Sequence, residues 1–332
     1  MEDEGNVGFS WEEKYKKTWE YLQEDEHGSL HSIITNQQLD RLRKKRTLYK
    51  PQAVKKGIIR HLCLIIDLSS SSLEKDLSPS RIELVKTTLT AFFPEYFEQN
   101  PLSQLAIVVT FDGIAKHLSF LSGNLSDHEK AIKEFPDCKG EPSFQNSFEV
   151  ALSILSYMNN LFYRKISGNT SKEIVFIHSS LSCCDPGNIY STVQSLQKSS
   201  IRCSFISLSA EMKICREIAK STLGSYKVCL NEVHFKDCLM EFLLPPSLVS
   251  AMATTDLIEM GFPTKVENIN AFCSCHNTLA SNGFICPNCK SLVCELPKDC
   301  PVCSLTLISS PHLARSFHHL FPIPAFIQTY YF

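Results

Sequence analysis

Cys286-Pro287-Asn288-Cys289 and Cys300-Pro301-Val302-Cys303 are the residues of this sequence best suited to chemistry, and that chemistry is metal ligation. Each C-x-x-C pair sets two sulfurs on one tight turn with backbone N–H groups directed inward, and tetrahedral Zn2+ takes four such soft ligands. Ten residues separate the two pairs. Chance yields single pairs easily but two at this spacing rarely, so Cys286, Cys289, Cys300 and Cys303 read as a structural zinc site. A redox-active pair is the alternative, and it lacks the βαβ frame that surrounds thioredoxin-like motifs. Cys294, between the pairs, reads as a buried spare thiol. Cys273, Cys275 and His276 fit either a second, incomplete site or an irregular loop. The eight ligands of a cross-braced two-zinc RING are not read here. His312, His318 and His319 read as surface or packing residues.

A second constellation offers oxygen rather than sulfur. Asp67-Leu68-Ser69-Ser70-Ser71 is D-x-S-x-S, the opening of a metal-ion-dependent adhesion site. One carboxylate and two hydroxyls at the C-terminal edge of a sheet suit Mg2+ or Mn2+. Ser143, just ahead of a predicted helix, would add a third hydroxyl. The second carboxylate is missing: the strand expected to carry it ends Ile177-His178-Ser179-Ser180, and Asp185 needs a bent loop to reach back. Losing a carboxylate removes charge that a divalent ion requires. The preferred reading is therefore a degenerate, empty site whose Asp67, Ser69 and Ser71 cap the turn and the next helix. A populated site is the alternative.

No catalytic motif is present. Neither G-x-x-x-x-G-K-[ST] nor G-x-G-x-x-G occurs, so there is no phosphate cradle and no expected ATP hydrolysis. G-x-S-x-G and a clear Cys/His nucleophile motif are absent as well. The chain reads as a non-enzyme with no small-molecule substrate.

The elements that must position these residues alternate. His61-Leu62-Cys63-Leu64-Ile65-Ile66 is a continuous apolar run, as expected of a strand buried on both faces. A helix is predicted from about Pro79, with Ile82, Val85, Leu89 and Phe92 on one side and Pro79 in its first turn. Strands follow at 105–109, 117–121, 174–177, 201–208 and 226–230, and helices at 126–135, 143–160, 189–198, 211–223 and 235–243. Repeated βα units predict an α/β fold, a doubly wound and mostly parallel sheet covered by helices. Pro245-Pro246 ends the domain. The predicted division is an N-terminal arm at 1–59, the sheet domain at 60–243, a linker at 244–271 and a zinc module with tail at 272–332. A helical turn is expected within 256–262. In the arm, Trp11, Tyr15, Trp19 and Leu22 recur at helical spacing. Arg41 to Arg46 is a short basic run, read as a solvated face or as an import or phosphate-contacting patch.

Bulk properties narrow the classes further. The 332 residues carry a formal charge of -2, which argues against whole-protein attraction to nucleic acid, so contact with it is expected to be at most indirect. No apolar h-region opens the chain and no run of eighteen apolar residues occurs, so neither a signal nor a membrane span is read. Asn124-Leu125-Ser126 and Asn169-Thr170-Ser171 match the glycosylation pattern, and with no signal they are not expected to be used. Of fifteen cysteines, eight are scattered over residues 63 to 238 and seven lie within 273 to 303. The scattered ones read as small buried hydrophobes of an intracellular domain.

Three long motifs, taken together, resemble one family. They are the strand opening Arg60-His61-Leu62, the segment Leu257-Ile258-Glu259-Met260-Gly261-Phe262-Pro263, and the zinc knuckles followed by Ser310-Pro311-His312-Leu313-Ala314-Arg315-Ser316-Phe317-His318-His319-Leu320-Phe321-Pro322. The sequence at Glu24 to Leu30 also looks like that family's N-terminal arm. The family is the von Willebrand A (vWA)/zinc-finger subunit of the transcription and DNA-repair factor TFIIH. The resemblance implies a vWA-like sheet domain and a finger built on Cys286, Cys289, Cys300 and Cys303. It also implies a nuclear location, the other TFIIH core subunits as partners, and an XPD-type helicase that the chain binds and stimulates in nucleotide-excision repair and RNA polymerase II initiation. The turn-rich loop Ser182 to Asn188 becomes the candidate helicase-facing element, with Asp185 and Asn188 as its contact residues, and an ordinary connector is the competing reading. Family members continue into a RING-like module, which is read as lacking here. Two other classes stay in view: a zinc-dependent ubiquitin ligase, and a metal-dependent vWA adhesion or ubiquitin-receptor protein.

Overall fold

The computed structural model describes residues 59–161, 170–185, 187–246, 260–268 and 270–320. The aromatic stripe at Trp11 to Leu22, the basic run at 41–46 and the Glu24 to Leu30 motif lie outside them.

The apolar run after Arg60 forms β1 (Ile59–Asp67), and the strands that flank it are equally apolar: β2 (Gln104–Phe111) on one side and β4 (Thr170–His178) on the other. Both pair with β1 in parallel. β3 (Ile114–Ser122) turns back antiparallel on β2, while β5 (Arg202–Ser207) and β6 (Tyr226–Val228) extend the sheet in parallel beyond β4. The order β3-β2-β1-β4-β5-β6 puts the first strand in the middle and reverses direction of winding around it. That is the vWA arrangement, a doubly wound α/β sheet with one antiparallel edge.

Alternation along β1 divides the core. Leu62, Leu64 and Ile66 face α1 (Arg81–Gln99), α2 (Leu125–Lys133) and α6 (Glu232–Met240). Cys63 and Ile65 face α3 (Phe144–Leu161), α4 (Ile189–Lys198) and α5 (Lys213–Ser221). Both faces are covered, which is why these strands read as continuous apolar runs. α1 begins at Arg81 rather than at Pro79: Ser80 is its cap and accepts a hydrogen bond from the Glu83 N–H. Among the scattered cysteines, Cys63, Cys203, Cys215, Cys229 and Cys238 are buried as expected, but Cys138 and Cys183 are half-buried and Cys184 is exposed.

At the N-terminal end of the sheet, Arg60 and Glu173 form an ion pair inside the protein. Both partners are almost fully buried, and the pair is bidentate: Nε donates to Oε1 at 2.9 Å and Nη2 to Oε2 at 2.8 Å. Nη2 also donates to the Phe242 carbonyl, and Nη1 to the Leu243 carbonyl and Asn100 Oδ1. All five guanidinium N–H groups are thereby used. The Tyr96 ring lies 5.2 Å beneath, and Ser171 donates to Glu173. One side chain thus ties β1, β4, the end of α1 and the last turn of the sheet domain together.

The cysteine-rich region is built from short strands: β7 (Met260–Gly261), β8 (Thr264–Val266), β9 (Ala271–Phe272), β10 (Leu279–Ala280), β11 (Gly283–Ile285), β12 (Leu292–Val293), β13 (Lys298–Asp299) and β14 (Thr306–Leu307). Met260–Gly261 pairs with β14, and β8 pairs with β11, while residues 256–259 of the stretch expected to hold a helical turn lie outside the described residues. Two strands of the module therefore come from the segment read as linker. Gly261 suits this role, because a Cβ there would come within 2.8 Å of Leu305 and 3.0 Å of Pro287. The chain closes into α7 (Ser310–Leu320), which packs on α1, with Arg315 Nη1 3.2 Å from Glu98 Oε1. Gln104 at the start of β2 donates to Asp299 of β13 at 2.6 Å.

Candidate metal centre and the rim of the sheet

The two C-x-x-C turns meet. Cys286 and Cys289 follow β11, Cys300 and Cys303 follow β13, and their four sulfurs lie within 4.8 Å of one another. The Cys286–Cys303 and Cys289–Cys300 sulfur separations are 3.6 and 3.5 Å. A tetrahedron with Zn–S bonds of about 2.3 Å has edges of about 3.8 Å. The spacing fits a four-thiolate metal ion, and all four cysteines are unpaired thiols. Two of the four sulfur-bearing residues, Cys286 and Cys300, are buried with Val293 and Leu307, and little else forms a core. A module with so few apolar residues needs a staple. The Ser291 hydroxyl and N–H donate to Cys289 and pull its thiol down to about 6, whereas burial pushes the Cys303 thiol up.

Each turn is closed in the same way. The Cys286 N–H donates to the Ser291 carbonyl at 2.9 Å and the Lys290 N–H to the Cys286 carbonyl at 3.1 Å. The Cys300 N–H donates to Leu305 at 2.9 Å and the Ser304 N–H to Cys300 at 2.8 Å. The residue after each second cysteine is left-handed, with φ of +62° at Lys290 and +56° at Ser304.

Cys294 is not a buried spare thiol. It is half-buried, its sulfur clusters within 4.8 Å of those of Cys273 and Cys275, and it lies 3.5 Å from His276 Nδ1. Four sulfurs stand in one cluster and three, those of Cys273, Cys275 and Cys294, in the other. The sequence separates these residues, and the pairing of β11 with β12 brings Cys294 back toward Cys273. His312 and His318 lie on α7, away from both clusters in sequence.

At the C-terminal edge of the sheet, Asp67 is engaged by backbone. Its Oδ1 accepts from the Ser69 N–H at 2.8 Å, and its Oδ2 from the Ser179 and Ser180 N–H groups at 2.9 and 3.0 Å. Ser72 rather than Ser71 donates to the Asp67 carbonyl. The Arg81 guanidinium, paired with Asp76 and Glu74, donates to the Ser71 and Ser179 carbonyls on either side. Ser69 Oγ and Asp185 Oδ2 are buried without hydrogen-bond partners. A hard divalent cation held by few protein ligands and water depends on its carboxylate, and here both Asp67 oxygens are taken by backbone N–H groups while a guanidinium stands in the wall. The residues present do not suit a divalent cation. Ser179 stands where a carboxylate was sought; its neighbour His178 is buried against Phe144 and Tyr226, and burial lowers its pKa to about 4.

Asp185 does reach back. Its Oδ1 accepts from the Ser143 hydroxyl at 2.8 Å and from the Gln145 N–H at 3.0 Å. Ser143 in turn accepts from the Asn146 N–H at 3.2 Å. Together they cap α3, and a carboxylate is favoured at a helix N-terminus. Asn188 caps α4 by accepting from the Tyr190 N–H at 3.0 Å. The two residues read as contacts are thus helix caps, and the exposed apolar side chains flanking the loop are Leu181 and Tyr190, 58% and 52% exposed. Asp185→Ala is expected to cost about 1 kcal/mol of stability with no partner present, read as a lowered melting temperature of the isolated chain.

Residues 65–263 match the Ssl1-like family model. The chain is 43% identical over 331 residues to general transcription factor IIH subunit 2 of Dictyostelium discoideum, covering 98% of this chain and 70% of that relative. It is 41% identical over 324 residues to the general transcription and DNA repair factor IIH subunit ssl1 of Schizosaccharomyces pombe, covering 96% of this chain and 75% of the relative. The chain belongs to the Ssl1-like family. Among solved structures it is similar to the TFIIH p34 N-terminal domain, at 14% identity and a TM-score of 0.45, over 55% of this chain and 98% of that one. The Ssl1-like match starts near the end of β1, so it takes in the other five strands of the doubly wound sheet and the first strand of the cysteine module. No helix among the described residues is long and apolar enough to cross a membrane.

Proposed function

We propose that this chain is a non-catalytic core subunit of TFIIH that acts in the nucleus, where it binds and stimulates the XPD-type helicase in nucleotide-excision repair and RNA polymerase II initiation. The observation that carries this reading is the 43% identity spread over 98% of the chain. Sequence retained over both the sheet domain and the cysteine module supports retained partners for both. Cys286, Cys289, Cys300 and Cys303 hold a structural Zn2+ in this reading. The Asp67 rim works without a divalent cation, so helicase affinity is unchanged by magnesium removal. The strand pairing of β7 and β8 supports a module that begins at Met260, with the sheet domain at 60–243 and an arm at 1–59.

Affinity capture of the tagged chain from nuclear extract tests the assignment. The XPD-type helicase and the other TFIIH core subunits are expected as the main captured proteins, and their absence contradicts it. Since Asp185 and Asn188 are caps, this part of the rim is probed at the exposed Leu181 that precedes the loop. Leu181→Asp is expected to lower helicase capture about tenfold, roughly the 1.4 kcal/mol of one good apolar contact, with an unchanged melting temperature. Full capture by that variant removes the start of the loop from the contact.

A ubiquitin ligase is the second reading, favoured by one observation: the two cysteine clusters alternate along the chain, as a cross-braced module requires. A ubiquitin-chain assay with a panel of conjugating enzymes is expected to give no product. Chains that vanish in Cys286→Ser protein favour the ligase.

A further inference from the structure

The segment Cys273 to Thr278 repeats the turn that closes each C-x-x-C pair. The Cys273 N–H donates to the Thr278 carbonyl at 2.9 Å, and the Asn277 N–H donates to the Cys273 carbonyl at 2.8 Å. Asn277 is left-handed, with φ of +55°. These are the same two hydrogen bonds, at the same offsets, that close the turns at Cys286 and Cys300. In those turns the first and fourth residues carry sulfur. Here the first is Cys273 and the fourth is His276, a C-x-x-H version of the same knuckle.

The other donors converge on this turn. The Cys275 and Cys294 sulfurs stand within 4.8 Å of the Cys273 sulfur. His276 Nδ1 is 3.5 Å from Cys294 Sγ. A tetrahedral ion with Zn–N of about 2.0 Å and Zn–S of about 2.3 Å places nitrogen and sulfur about 3.5 Å apart. The Cys275 N–H donates to Cys273 Sγ at 3.4 Å, the inward N–H to sulfur bond that steadies a thiolate. The turn is fixed to the rest of the module by the Ser274 N–H, which donates to the Leu292 carbonyl at 2.9 Å, and by the bridge between Cys273 and Leu292. Leu292 lies two residues before Cys294, so the same strand that positions Cys294 holds the knuckle.

We propose that Cys273, Cys275, His276 and Cys294 bind a second structural zinc ion, interleaved with the first. The chain visits the sites alternately: Cys273, Cys275 and His276 in the second, Cys286 and Cys289 in the first, Cys294 in the second, Cys300 and Cys303 in the first. Each ion therefore closes a loop through the other, and neither half of the module is closed by one ion alone. The inference is independent of any TFIIH partner, because the metal is counted on the isolated chain.

The test is elemental analysis of the full-length chain purified without chelator, with X-ray absorption at the zinc edge. About two zinc ions per chain are expected, with a shell averaging about seven sulfurs to one nitrogen over both sites. Cys294→Ser is expected to leave about one ion in an all-sulfur shell, and His276→Cys to keep two ions while the nitrogen signal disappears. About one ion in an all-sulfur shell in the wild-type chain overturns the proposal, as does Cys294→Ser protein that keeps two. No zinc at all would overturn the first site together with the second. If Cys294→Ser does not fold, the wild-type stoichiometry and shell decide alone.

Discussion

Arg60→Ala is expected to destabilise the sheet domain by about 3–5 kcal/mol, a large share of the total stability of an ordinary domain. The substitution leaves the Glu173 carboxylate buried beside Ser171 with no countercharge, and strips partners from the Phe242 and Leu243 carbonyls and from Asn100. Desolvating one unpaired charge costs more than the pair itself contributes. The double replacement Arg60→Met with Glu173→Met is therefore expected to be far milder than either single change, because it removes both charges and refills the volume. Urea melts of the three variants measure this. Equal losses in the single and double variants would mean that the carbonyl contacts, not the ion pair, dominate.

Cys286→Ser is expected to unfold the module from about residue 260 onward while the sheet domain keeps its cooperative melt. The apolar core of the module and the two cores of the sheet domain are separate clusters, so loss of one does not open the others. Structural zinc in finger peptides supplies on the order of 10–16 kcal/mol of folding free energy, and one thiolate lost from four removes most of it. Limited proteolysis is expected to cut the variant within the module and to leave a resistant sheet domain. Acidification should mimic the mutation: ligating thiolates must be deprotonated, so protons displace the metal as pH falls and zinc release increases. A module as protease-resistant in Cys286→Ser as in the wild type would show that sulfur ligation at this site does not hold it.

The sheet was legible because its chemistry is local. Strands buried on both faces write apolar runs, and β1, β2 and β4 are such runs. The four cysteines of the first cluster were legible for the same reason, since each pair is complete within four residues. What escaped was contact across distance. Arg60 and Glu173 stand 113 positions apart, and each reads alone as the polar start of a strand; the only signal was a charge at the head of an otherwise apolar run. Asp185 reads as part of an exposed turn, yet its carboxylate turns inward because α3 presents unpaired N–H groups beside it. Cys294 reads as a spare because its partners lie across the β11–β12 hairpin. Its site did leave one trace, the knuckle spacing of Cys273 and His276.

The central claim, that this chain stimulates an XPD-type helicase without catalysis of its own, is tested most directly by strand separation. A purified XPD-type helicase unwinds a forked DNA duplex with ATP while the full-length chain is titrated in. The expected result is an unwinding rate that rises and saturates near one chain per helicase, with no ATP hydrolysis by the chain alone, which has no phosphate cradle. An unwinding rate that stays at its basal value through saturating, folded and zinc-loaded chain would contradict the account.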